Sequence, residues 1–497
     1  MSPVRPTAAV ILAAGEGTRM KSTLPKVMHP LAGRSMLAHA IEAAEATMPQ
    51  HLVVVVRHRR EQVAEHVAQV APRAVIADQD EVPGTGRAVQ CGLQALAESD
   101  PQSGPTSGTV LVTYGDVPLL DGATLSGLLE AHQEQGNAVT VITSTPPDPT
   151  GYGRVVRAED GTVAAIVEHK DATAEQLLIG EINSGLYAFD AEVLADALTR
   201  VGAANAQGEV YLTDVLAIAR QDGHRVAAYP VADRWQTEGV NDRVQLAAMG
   251  RVLNERIVQA HQRAGVTVVD PATTWIDDTV QIATDVTLLP GTHLSGACSV
   301  AGFAVIGPDT TLVDCTIGER AQVVRSHAIG AQIGPGASVG PFSYLRPGTR
   351  LESGGKIGAF VETKNSSIGV GSKVPHLSYV GDATIGEGVN IGAATVFVNY
   401  DGVNKHSTVV EDHARVGSDS MLVAPVRIGT GAYTAAGSVI TDDVPAGAMG
   451  VGRAKQRNII GWVQRRRAGS DAATAAAATT EPGPAAAAEG DSQEGSR

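Results

Sequence analysis

IGPGASVGPFSYLRPGTRLESGGKIG, residues 333–358, carries an aliphatic side chain at every sixth position. The aliphatic residues are Ile333, Val339, Leu345, Leu351 and Ile357. A period of six matches neither the 3.6-residue period of an α-helix nor the two-residue alternation of a half-buried strand. It is typical of a hexapeptide-repeat β-helix, in which each face of a three-sided coil contributes one inward aliphatic side chain.

The same period extends over much of the second half of the chain. It recurs at Leu288, Leu294, Val300, Ile306 and Leu312, and again at Val410, Val416, Leu422, Ile428, Thr434 and Ile440. At three hexapeptides per coil, residues 265–445 would form about ten coils. The period is interrupted near residues 361–367 and 397–408, where we expect insertions that mark a binding face.

The amino-acid composition agrees with a slim repeat domain. The 497-residue chain contains 55 glycines but only five Phe, three Trp and nine Tyr residues. Glycine suits the unusual backbone angles of corners, and only small or aliphatic side chains fit a narrow interior. At roughly 150 residues per domain, the chain is also too long for a single small binding module.

Charge and cysteine usage exclude several classes of protein. The formal net charge of −15 argues against a general nucleic-acid binder or a binder of anionic membranes. The scattered Cys91, Cys298 and Cys315 suit neither a disulfide framework nor a zinc site. No apolar run approaches the ~20 residues of a membrane span, and the run at 8–14 is short for a signal peptide. We therefore expect a soluble cytoplasmic protein.

Short apolar runs alternate with amphipathic stretches from residue 8 to about residue 232. Strand candidates are residues 8–13, 51–56, 109–113 and 138–143, and helix candidates are residues 35–47 and 61–70. Continuous Val, Ile and Leu strands separated by helices are typical of a mostly parallel sheet covered by helices. The pattern predicts one Rossmann-like α/β domain with its binding residues at the carboxyl ends of the strands.

The chain between and beyond the two domains has a different composition. Residues 242–264 lack proline and precede Gly265, which predicts one helix that spaces the domains. After Arg467 the chain has too few aliphatic or aromatic residues to form a core. The predicted organisation is a first domain at 1–241, a linker helix at 242–264, a β-helix at 265–462 and a disordered tail at 463–497.

Two segments of the first domain carry residues suited to phosphate and metal chemistry. Leu12-Ala-Ala-Gly-Glu-Gly-Thr-Arg19 follows the first strand, and Lys26 comes soon after. Small residues let backbone amides approach a phosphate, and the two cations offset its charge. Asp116 ends a later strand, where a carboxylate suits Mg²⁺. Taken alone, the loop is equally consistent with a plain strand-to-helix turn, and Asp116 alone would favour a turn cap.

Arg346, Lys364 and His376 are candidate site residues of the second domain. Their intervals of 18 and 12 residues can bring side chains onto stacked coils. A neutral imidazole is the usual base near pH 7 for forming an amide from an amine and a thioester. A lone histidine in a solenoid is more often a surface residue, but the nearby interruption of the repeat favours a site.

These residues also carry a resemblance to a known family. Leu-Ala-Ala-Gly-x-Gly-Thr-Arg-Met at 12–20, with Leu24-Pro-Lys26, is similar to the signature of sugar-1-phosphate nucleotidyltransferases. Together with the repeats, Lys364 and His376, the chain resembles the bifunctional bacterial N-acetylglucosamine-1-phosphate uridyltransferase/glucosamine-1-phosphate acetyltransferase family over about residues 8–462. The resemblance implies a left-handed β-helix and a homotrimer with acetyl-transfer sites between subunits.

The resemblance implies two reactions on small-molecule substrates, with no nucleic-acid or membrane partner. Acetyl-CoA would acetylate glucosamine-1-phosphate. A phosphate oxygen of the resulting N-acetylglucosamine-1-phosphate would then attack the α-phosphorus of UTP, with Mg²⁺ as cofactor, and release pyrophosphate. That oxygen is already ionised, so the second step needs positioning and charge neutralisation rather than a general base. The product, UDP-N-acetylglucosamine, would supply peptidoglycan synthesis.

The resemblance assigns residues of the uridyltransferase site. The uridine nucleotide would be held by Leu12, Ala13, Ala14, Gly15, Gln79, Gly84, Thr85, Tyr114, Gly115 and Asp116, with Arg19 and Lys26 offsetting its phosphate charge. The sugar-phosphate side would be lined by Gly153, Glu168, Asn183 and Asn241, and Mg²⁺ would be bound by Asp116 and Asn241. Where the family usually has Gln-Leu before Gly84, this chain has Val82-Pro83.

The resemblance also assigns the acetyltransferase site, with His376 as the base. The sugar phosphate would be bound by Arg346, Lys364, Tyr379 and Asn390. Acetyl-CoA would contact Ala393, Asn399, Tyr400, Ser418, Ala436 and Arg453. Trp462 could reach a neighbouring chain or cap the last coil.

Two other functions remain open at this point. The chain could be a nucleotidyltransferase whose β-helix only regulates or oligomerises, or a scaffold without catalytic activity. Gly15, Arg19, Lys26 and Asp116 weigh against the scaffold. Arg346, Lys364, His376, Asn399 and Tyr400 weigh against a merely regulatory second half.

Overall fold

The computed structural model describes residues 4–99, 107–202 and 208–479. The first domain has eleven strands among these residues. They are β1 (Ala8–Leu12), β2 (Pro30–Leu31), β3 (Arg34–Ser35), β4 (His51–Val56), β5 (Val75–Asp78), β6 (Thr109–Tyr114), β7 (Val139–Ser144), β8 (Arg154–Arg157), β9 (Val163–Val167), β10 (Ile182–Asp190) and β11 (Val226–Pro230). Strands β2 and β3 form a separate small hairpin.

The central sheet has the order β11-β7-β10-β6-β1-β4-β5. Strand β1 is parallel to β4 on one side and to β6 on the other, and β5 and β11 also pair in parallel. Strand β10 runs antiparallel between β6 and β7, and the β8–β9 hairpin extends from it. The predicted mostly parallel sheet is therefore confirmed, with one antiparallel strand inside it.

Helices cover both faces of this sheet. They are α1 (Met36–Glu45), α2 (Arg60–Val70), α3 (Thr85–Ser99), α4 (Gly122–Glu134), α5 (Ala174–Leu177), α6 (Ala191–Arg200) and α7 (Asp214–Gln221). Single 3₁₀ turns lie at Thr18–Met20, Lys26–Met28, Arg234–Gln236 and Pro271–Thr273. Helices α3, α6 and α7 pack on one face of the sheet, and α1, α2 and α4 pack on the other. Ser35, Asp121 and Asp190 cap α1, α4 and α6 by accepting backbone N–H bonds.

Helix α8 (Arg243–Arg263) leads from the first domain to the β-helix. The Asp242 carboxylate caps its first turn, and Gly265 follows its last turn with φ of +94°. The Asn254 side chain donates to the Thr274 carbonyl at 2.8 Å and accepts from the Ile276 amide at 3.0 Å. The middle of α8 is therefore hydrogen-bonded to the first coil.

The second domain is a prism of three parallel sheets, which confirms the predicted left-handed parallel β-helix. The strands of face 1 are Thr267–Val268, Thr287–Leu288, Val305–Ile306, Gln322–Val323, Ser338–Val339, Lys356–Ala359, Lys373–His376, Asn390–Ile391, Arg415–Val416, Tyr433–Thr434 and Met449–Gly450. Those of face 2 are Trp275–Ile276, Thr292–Ser295, Thr310–Val313, His327–Ile329, Tyr344–Leu345, Glu362–Lys364, Tyr379–Gly381, Val396–Val398, Met421–Val423 and Val439–Ile440. Those of face 3 are Gln281–Ile282, Ser299–Val300, Thr316–Ile317, Gln332–Ile333, Arg350–Leu351, Ser367–Ile368, Ala383–Ile385, Thr408–Val410 and Val426–Ile428.

The six-residue period corresponds to the inward positions of the coils. Ile333, Val339, Leu345, Leu351 and Ile357 are each at most 2% exposed. Full burial of one such side chain stabilises a fold by about 1.5–3 kcal/mol. The repeated aliphatic side chains therefore form the core that stabilises the prism.

Only one of the two expected insertions exists. Near 361–367 the expectation is wrong, because the face 2 ladder continues without a break, with Thr363 opposite Leu345. The fully buried Thr363 hydroxyl lies 3.0 Å from the Thr349 hydroxyl, so a polar side chain fills an inward position there. At 397–408 the insertion is present, because Ala383 pairs with Thr408 and residues 399–407 form a loop between the coils.

The segment predicted as a disordered tail contains helices in its described part. Helix α9 spans Trp462–Arg466 and α10 spans Asp471–Thr479, which differs from the prediction. Alanine has the highest helix propensity, and the Ser470 hydroxyl accepts from the Ala473 amide at 3.2 Å. The rest of the predicted tail, residues 480–497, lies outside the described residues. None of the helices in the described ranges is long and apolar enough to cross a membrane.

Candidate active sites

The carboxyl ends of β1, β4 and β6 and the start of α3 surround a cavity of about 330 Å³. Most residues assigned to the uridine nucleotide line it, namely Leu12, Ala13, Ala14, Gly15, Lys26, Gln79, Gly84, Thr85, Tyr114 and Asp116. Gly115 lies behind this lining, where its amide donates to the Leu12 carbonyl at 3.0 Å and ties β6 to β1. The parallel strands end at one edge of the sheet, which is why these distant residues converge.

Lys26 links the two residues assigned to Mg²⁺. Its ammonium forms an ion pair with the Asp116 carboxylate and lies 3.3 Å from Oδ1 of Asn241. The Arg19 guanidinium donates to the same Asn241 oxygen at 2.7 Å. The Val240 amide also donates to the Asp116 carbonyl at 2.9 Å. Two cations and two hard oxygen donors therefore meet in one cluster beside the cavity.

Gly17 allows the glycine-rich loop to pass close to Lys26. Its φ is +67°, and a Cβ at this position would lie 2.5 Å from the Cβ of Lys26. A larger residue would push the loop or the lysine away. The glycine thus holds the backbone amides and the Lys26 side chain at the same cavity.

The loop with Val82-Pro83 wraps around the side chain of Gln79. The Gln79 amide nitrogen donates to the carbonyls of Val82 at 3.1 Å and Gly84 at 3.2 Å. In the same cavity, burial raises the pKa of the Tyr114 hydroxyl well above its usual range, so this group stays neutral. Gln79 and Tyr114 therefore offer neutral polar groups to a cavity that Lys26, Arg57 and Asp116 also line.

Gly153, Glu168 and Asn183 form one row across three antiparallel segments. The Asn183 amide donates to the Gly153 carbonyl at 2.9 Å, and a Cβ on Gly153 would lie 3.4 Å from the Glu168 carboxylate. The Tyr187 hydroxyl donates to the Asn183 side-chain oxygen at 2.9 Å. Burial, with the Asp171 and Asp214 carboxylates, raises the pKa of Glu168. None of the three row residues lines the nucleotide cavity, but the neighbouring Gly185 and Tyr114 are in close contact.

In the β-helix, Arg346 and Lys364 stack on adjacent coils at the far edge of face 2. Arg346 forms an ion pair with Glu362 at 3.0 Å. On the next coil the Tyr379 hydroxyl lies 3.4 Å from the Asn399 amide nitrogen, which also donates to Asp382 at 2.5 Å. The far edge of face 2 thus carries two cations beside a set of polar side chains.

A second group follows the corner where face 1 turns into face 2. His376, Ala393, Ser418 and Ala436 occupy equivalent corner positions on successive coils. Backbone bonds connect them, since the amides after Ala393, Ser418 and Ala436 donate to the carbonyls of His376, Ala393 and Ser418 at 3.2, 2.7 and 2.8 Å. The Arg453 side chain lies 3.7 Å from a Cβ position on Gly437 in the same corner. Four of the assigned acetyl-CoA contacts and the assigned base therefore form one strip along the prism.

A single chain does not bring all acetyltransferase residues together. His376 is exposed at the corner where face 1 turns into face 2, whereas Arg346 and Lys364 are at the far edge of face 2. Asn390 lies on face 1. Tyr400 is exposed in the 399–407 loop, where its hydroxyl donates to the Gly402 carbonyl at 2.7 Å. The face 2 cluster and the corner strip are thus separate surfaces of one prism.

Three polar residues that lie near these sites were not predicted from the sequence. Arg57 and His58 follow β4 and line the nucleotide cavity. The rule that sites lie at strand carboxyl ends points to them, because β4 is adjacent to β1. Lys405, in the 399–407 loop, lies so close to Lys364 that the second ammonium lowers its pKa. The interruption of the repeat at 397–408 was the feature of the sequence that could have pointed to this lysine.

Comparison with known proteins agrees with both domains. The MobA-like NTP transferase domain family matches residues 9–178. "Bifunctional protein GlmU" of Pseudarthrobacter chlorophenolicus is 58% identical over 95% of both chains. The Kineococcus radiotolerans protein of that name is 59% identical over 95% of both chains. The Streptomyces coelicolor protein is 56% identical over 97% of this chain and 98% of its own.

The fold and the first cavity define a nucleotidyltransferase domain joined to a hexapeptide-repeat β-helix. The chain belongs to the family of bifunctional GlmU proteins. It is accordingly a bifunctional transferase of UDP-N-acetylglucosamine synthesis, with nucleotidyltransferase and acyltransferase activities.

Proposed function

We propose that the cavity of the first domain transfers the uridylyl group of UTP to N-acetylglucosamine-1-phosphate. The observation that carries this assignment is the convergence of Lys26, Arg19, Asp116 and Asn241 beside the cavity. The attacking phosphate oxygen is ionised, so these residues need to orient the two substrates and offset their charge. Lys26 and Arg19 supply that positive charge, and the Gly153, Glu168 and Asn183 row holds the sugar side.

The same cluster suits Mg²⁺. Asp116 offers a carboxylate and Asn241 an amide oxygen, the hard donors that Mg²⁺ prefers, and both already face cationic side chains. We propose these two residues as its protein ligands, with substrate phosphates and water as the others. When bound, the ion would neutralise charge on the nucleotide phosphates. Lys26 would then turn from Asp116 toward the phosphates.

For the β-helix, we propose that His376 is the base of acetyl transfer. The amine of glucosamine-1-phosphate attacks the thioester carbonyl of acetyl-CoA, its proton passes to the imidazole, and CoA leaves as the thiol after protonation. The exposed imidazole is at the end of the corner strip formed with Ala393, Ser418 and Ala436, which would hold the acetyl-CoA arm along with Arg453. Asn399 and Tyr400, at the start of the 399–407 loop, would also contact acetyl-CoA.

The sugar phosphate in this reaction requires cations, and Arg346, Lys364 and Lys405 provide them. These residues lie near Tyr379 at the far edge of face 2. We propose that they bind the phosphate of glucosamine-1-phosphate, while Asn390 of another chain completes the sugar site. The acetylated product is released and becomes the acceptor in the first domain, in the reducing environment of the cytoplasm, where the free Cys91, Cys298 and Cys315 persist.

We propose a homotrimer in which the corner strip of one chain faces the face 2 cluster of its neighbour. Its support is the separation of the two groups within one chain. A second support is a ladder of exposed apolar side chains along the same corner, where Phe342 and Phe360 stack at 5.3 Å and Leu377 follows. Such a surface favours burial against another protein surface.

Mixing of subunits tests the shared site. Co-expression of His376→Ala with Lys364→Met chains is expected to restore part of the acetyl transfer, because some interfaces then combine an intact corner with an intact face 2 cluster. The matched control pairs Arg346→Met with Lys364→Met, which damage the same cluster and are expected not to complement. Failure of the first mixture, with trimers formed, would place the whole site within one chain.

A single assay tests the two reactions together. Purified protein is supplied with glucosamine-1-phosphate, acetyl-CoA, UTP and Mg²⁺, and free thiol and pyrophosphate are measured separately. We expect both products, with pyrophosphate dependent on prior acetylation. Thiol without pyrophosphate would remove the uridylyl assignment, and pyrophosphate without thiol would remove the acetyl assignment.

A further inference from the structure

Arg154 is among the largest fully buried side chains of the molecule, with 2% exposure. It opens β8, where it pairs with Val167 of β9 and Ile182 of β10. The adjacent row across these strands is Gly153, Glu168 and Asn183. Since successive residues of a strand point to opposite faces, Arg154 lies on the face behind the Glu168 and Asn183 side chains.

The guanidinium of Arg154 contacts the two segments that carry this row. Its Nη1 donates to the carbonyl of Tyr152, the residue before Gly153. Its Nη2 lies 3.5 Å from Nδ1 of His169, the residue after Glu168. The side chain therefore spans the ends of β8 and β9 where Gly153 and Glu168 are held.

Burial of this arginine costs free energy, which indicates that the side chain has a role beyond packing. No carboxylate in the described part of the chain forms a salt bridge with it, Asp148 acting on it only through charge at longer range, and its Nε is buried with no hydrogen-bond partner there. Burial of a cation without a directly paired counter-ion disfavours folding. An apolar side chain would fill the same volume at lower cost if packing were its only role.

We propose that Arg154 is a positioning residue for the sugar-phosphate subsite of uridylyl transfer. It fixes the backbone of Gly153 and the direction of Glu168 from behind, and it does not touch the substrate. The inference rests on the proposed assignment of Gly153, Glu168 and Asn183 to the sugar side. A lysine cannot replace it, because a single ammonium lacks the planar fork that reaches the Tyr152 carbonyl and His169 together.

The test is a set of steady-state measurements on the full-length protein. Arg154→Lys is expected to raise the KM for N-acetylglucosamine-1-phosphate about 10- to 100-fold, while the KM for UTP stays within about twofold. Arg157→Lys is the matched control, because Arg157 lies on the same strand but is partly exposed and ion-paired with Glu181. An ordinary KM for UTP reports that the first domain is folded, and acetyl transfer by each variant reports that the β-helix is folded and assembled.

Variants of His169 separate positioning from simple stability. His169→Gln keeps an acceptor for the guanidinium and is expected to retain the ordinary KM for the sugar phosphate. His169→Leu removes the acceptor and is expected to raise that KM as Arg154→Lys does. Equal changes in both KM values, or an effect only on the amount of folded enzyme, would overturn the positioning role.

Direct variants of the row distinguish this inference from the site assignment. Glu168→Gln and Asn183→Ala are expected to raise the KM for the sugar phosphate by themselves. If they do and Arg154→Lys does not, the inference about Arg154 is wrong and the site assignment stands. If they do not, the row is not the sugar side and both proposals are wrong.

Discussion

Lys26 and Asp116 form an ion pair at the nucleotide cavity, joining the segment after the glycine-rich loop to the residues that follow β6. Lys26 also contacts Asn241, so one ammonium holds both candidate metal ligands. This arrangement concentrates opposite charges where a triphosphate would arrive.

Asp116→Ala is expected to lower uridylyl transfer about 10²- to 10³-fold, because the proposed Mg²⁺ ligand is lost and Lys26 loses its ion-pair partner. Acetyl transfer should be unchanged. Pyrophosphate and thiol release measure the two activities. Asp78→Ala is the control, since this exposed carboxylate at the end of β5 forms a surface ion pair with Arg60. Retained pyrophosphate release in Asp116→Ala would remove Asp116 from the metal role.

His376→Ala is expected to lower acetyl transfer about 10²- to 10⁴-fold through loss of the base, with uridylyl transfer intact. Thiol release from acetyl-CoA measures the effect. His293→Ala is a matched control, because His293 is also an exposed histidine next to an inward residue of face 2. Ordinary CoA production by His376→Ala would contradict the assignment of the base.

Two threonines inside the prism give an asymmetric prediction. The Thr349 hydroxyl donates to the Arg346 carbonyl at 2.8 Å, and the Thr363 hydroxyl lies 3.0 Å from it. Thr349→Val leaves the buried Thr363 hydroxyl without a partner and should cost about 1–3 kcal/mol. Thr363→Val leaves the bond to Arg346 intact and should cost less. Urea unfolding of the β-helix measures both, and equal losses would contradict this account.

The same threonines show what the sequence could predict of the fold. The six-residue period located the coils, since inward aliphatic side chains are the core of the prism. A pattern built on apolar residues treats Thr363 as a break, although its hydroxyl is satisfied inside the coil by Thr349. At 397–408 the break was real, because chain length rather than polarity separates Ala383 from Thr408.

The candidate sites were predictable to the extent that they depend on the ends of parallel strands. Residues 12–15 and Asp116 converge for that reason, and Lys26 reaches the same cavity from a 3₁₀ turn. The row of Gly153, Glu168 and Asn183 depends on the register of an antiparallel hairpin, which spacing does not reveal. In the β-helix, the 18 residues from Arg346 to Lys364 make one full coil, so these two side chains stack. The 12 residues from Lys364 to His376 make only part of a coil, so His376 lies at the corner where face 1 turns into face 2.

Lys405→Met is expected to raise the KM for glucosamine-1-phosphate about tenfold, because a charge-assisted contact to the phosphate is lost. Lys364 lowers the pKa of Lys405, so this contact should weaken at a lower pH than an ordinary lysine would allow. In the unsubstituted protein, kcat/KM should fall at alkaline pH as Lys405 loses its proton. Lys405→Met should lack this fall. Lys356→Met, an exposed lysine on face 1, is the control. An unchanged KM in Lys405→Met would place this loop outside the sugar site.

His132 makes the stability of the first domain depend on pH. Burial lowers its pKa from 6.5 to about 4, while its Nδ1 lies 2.9 Å from the Thr140 hydroxyl. Between these values the unfolded chain binds a proton that the folded chain does not, so unfolding becomes easier as pH falls. The neutral, buried His132 makes its full contribution to the free energy of unfolding above pH 6.5. About 3 kcal/mol of that free energy is lost by pH 4.

The dependence can be followed through Trp235, the tryptophan of the first domain, after Trp275 and Trp462 are replaced by phenylalanine. The urea concentration at the midpoint of unfolding should decrease as the pH is lowered from 6.5 to 4.5. The decrease should be smaller in His132→Gln, because glutamine does not titrate. His224→Gln, an exposed histidine of the same domain, should keep the full dependence. An identical fall in His132→Gln would mean that other groups, and not the buried imidazole, govern the acid sensitivity of this domain.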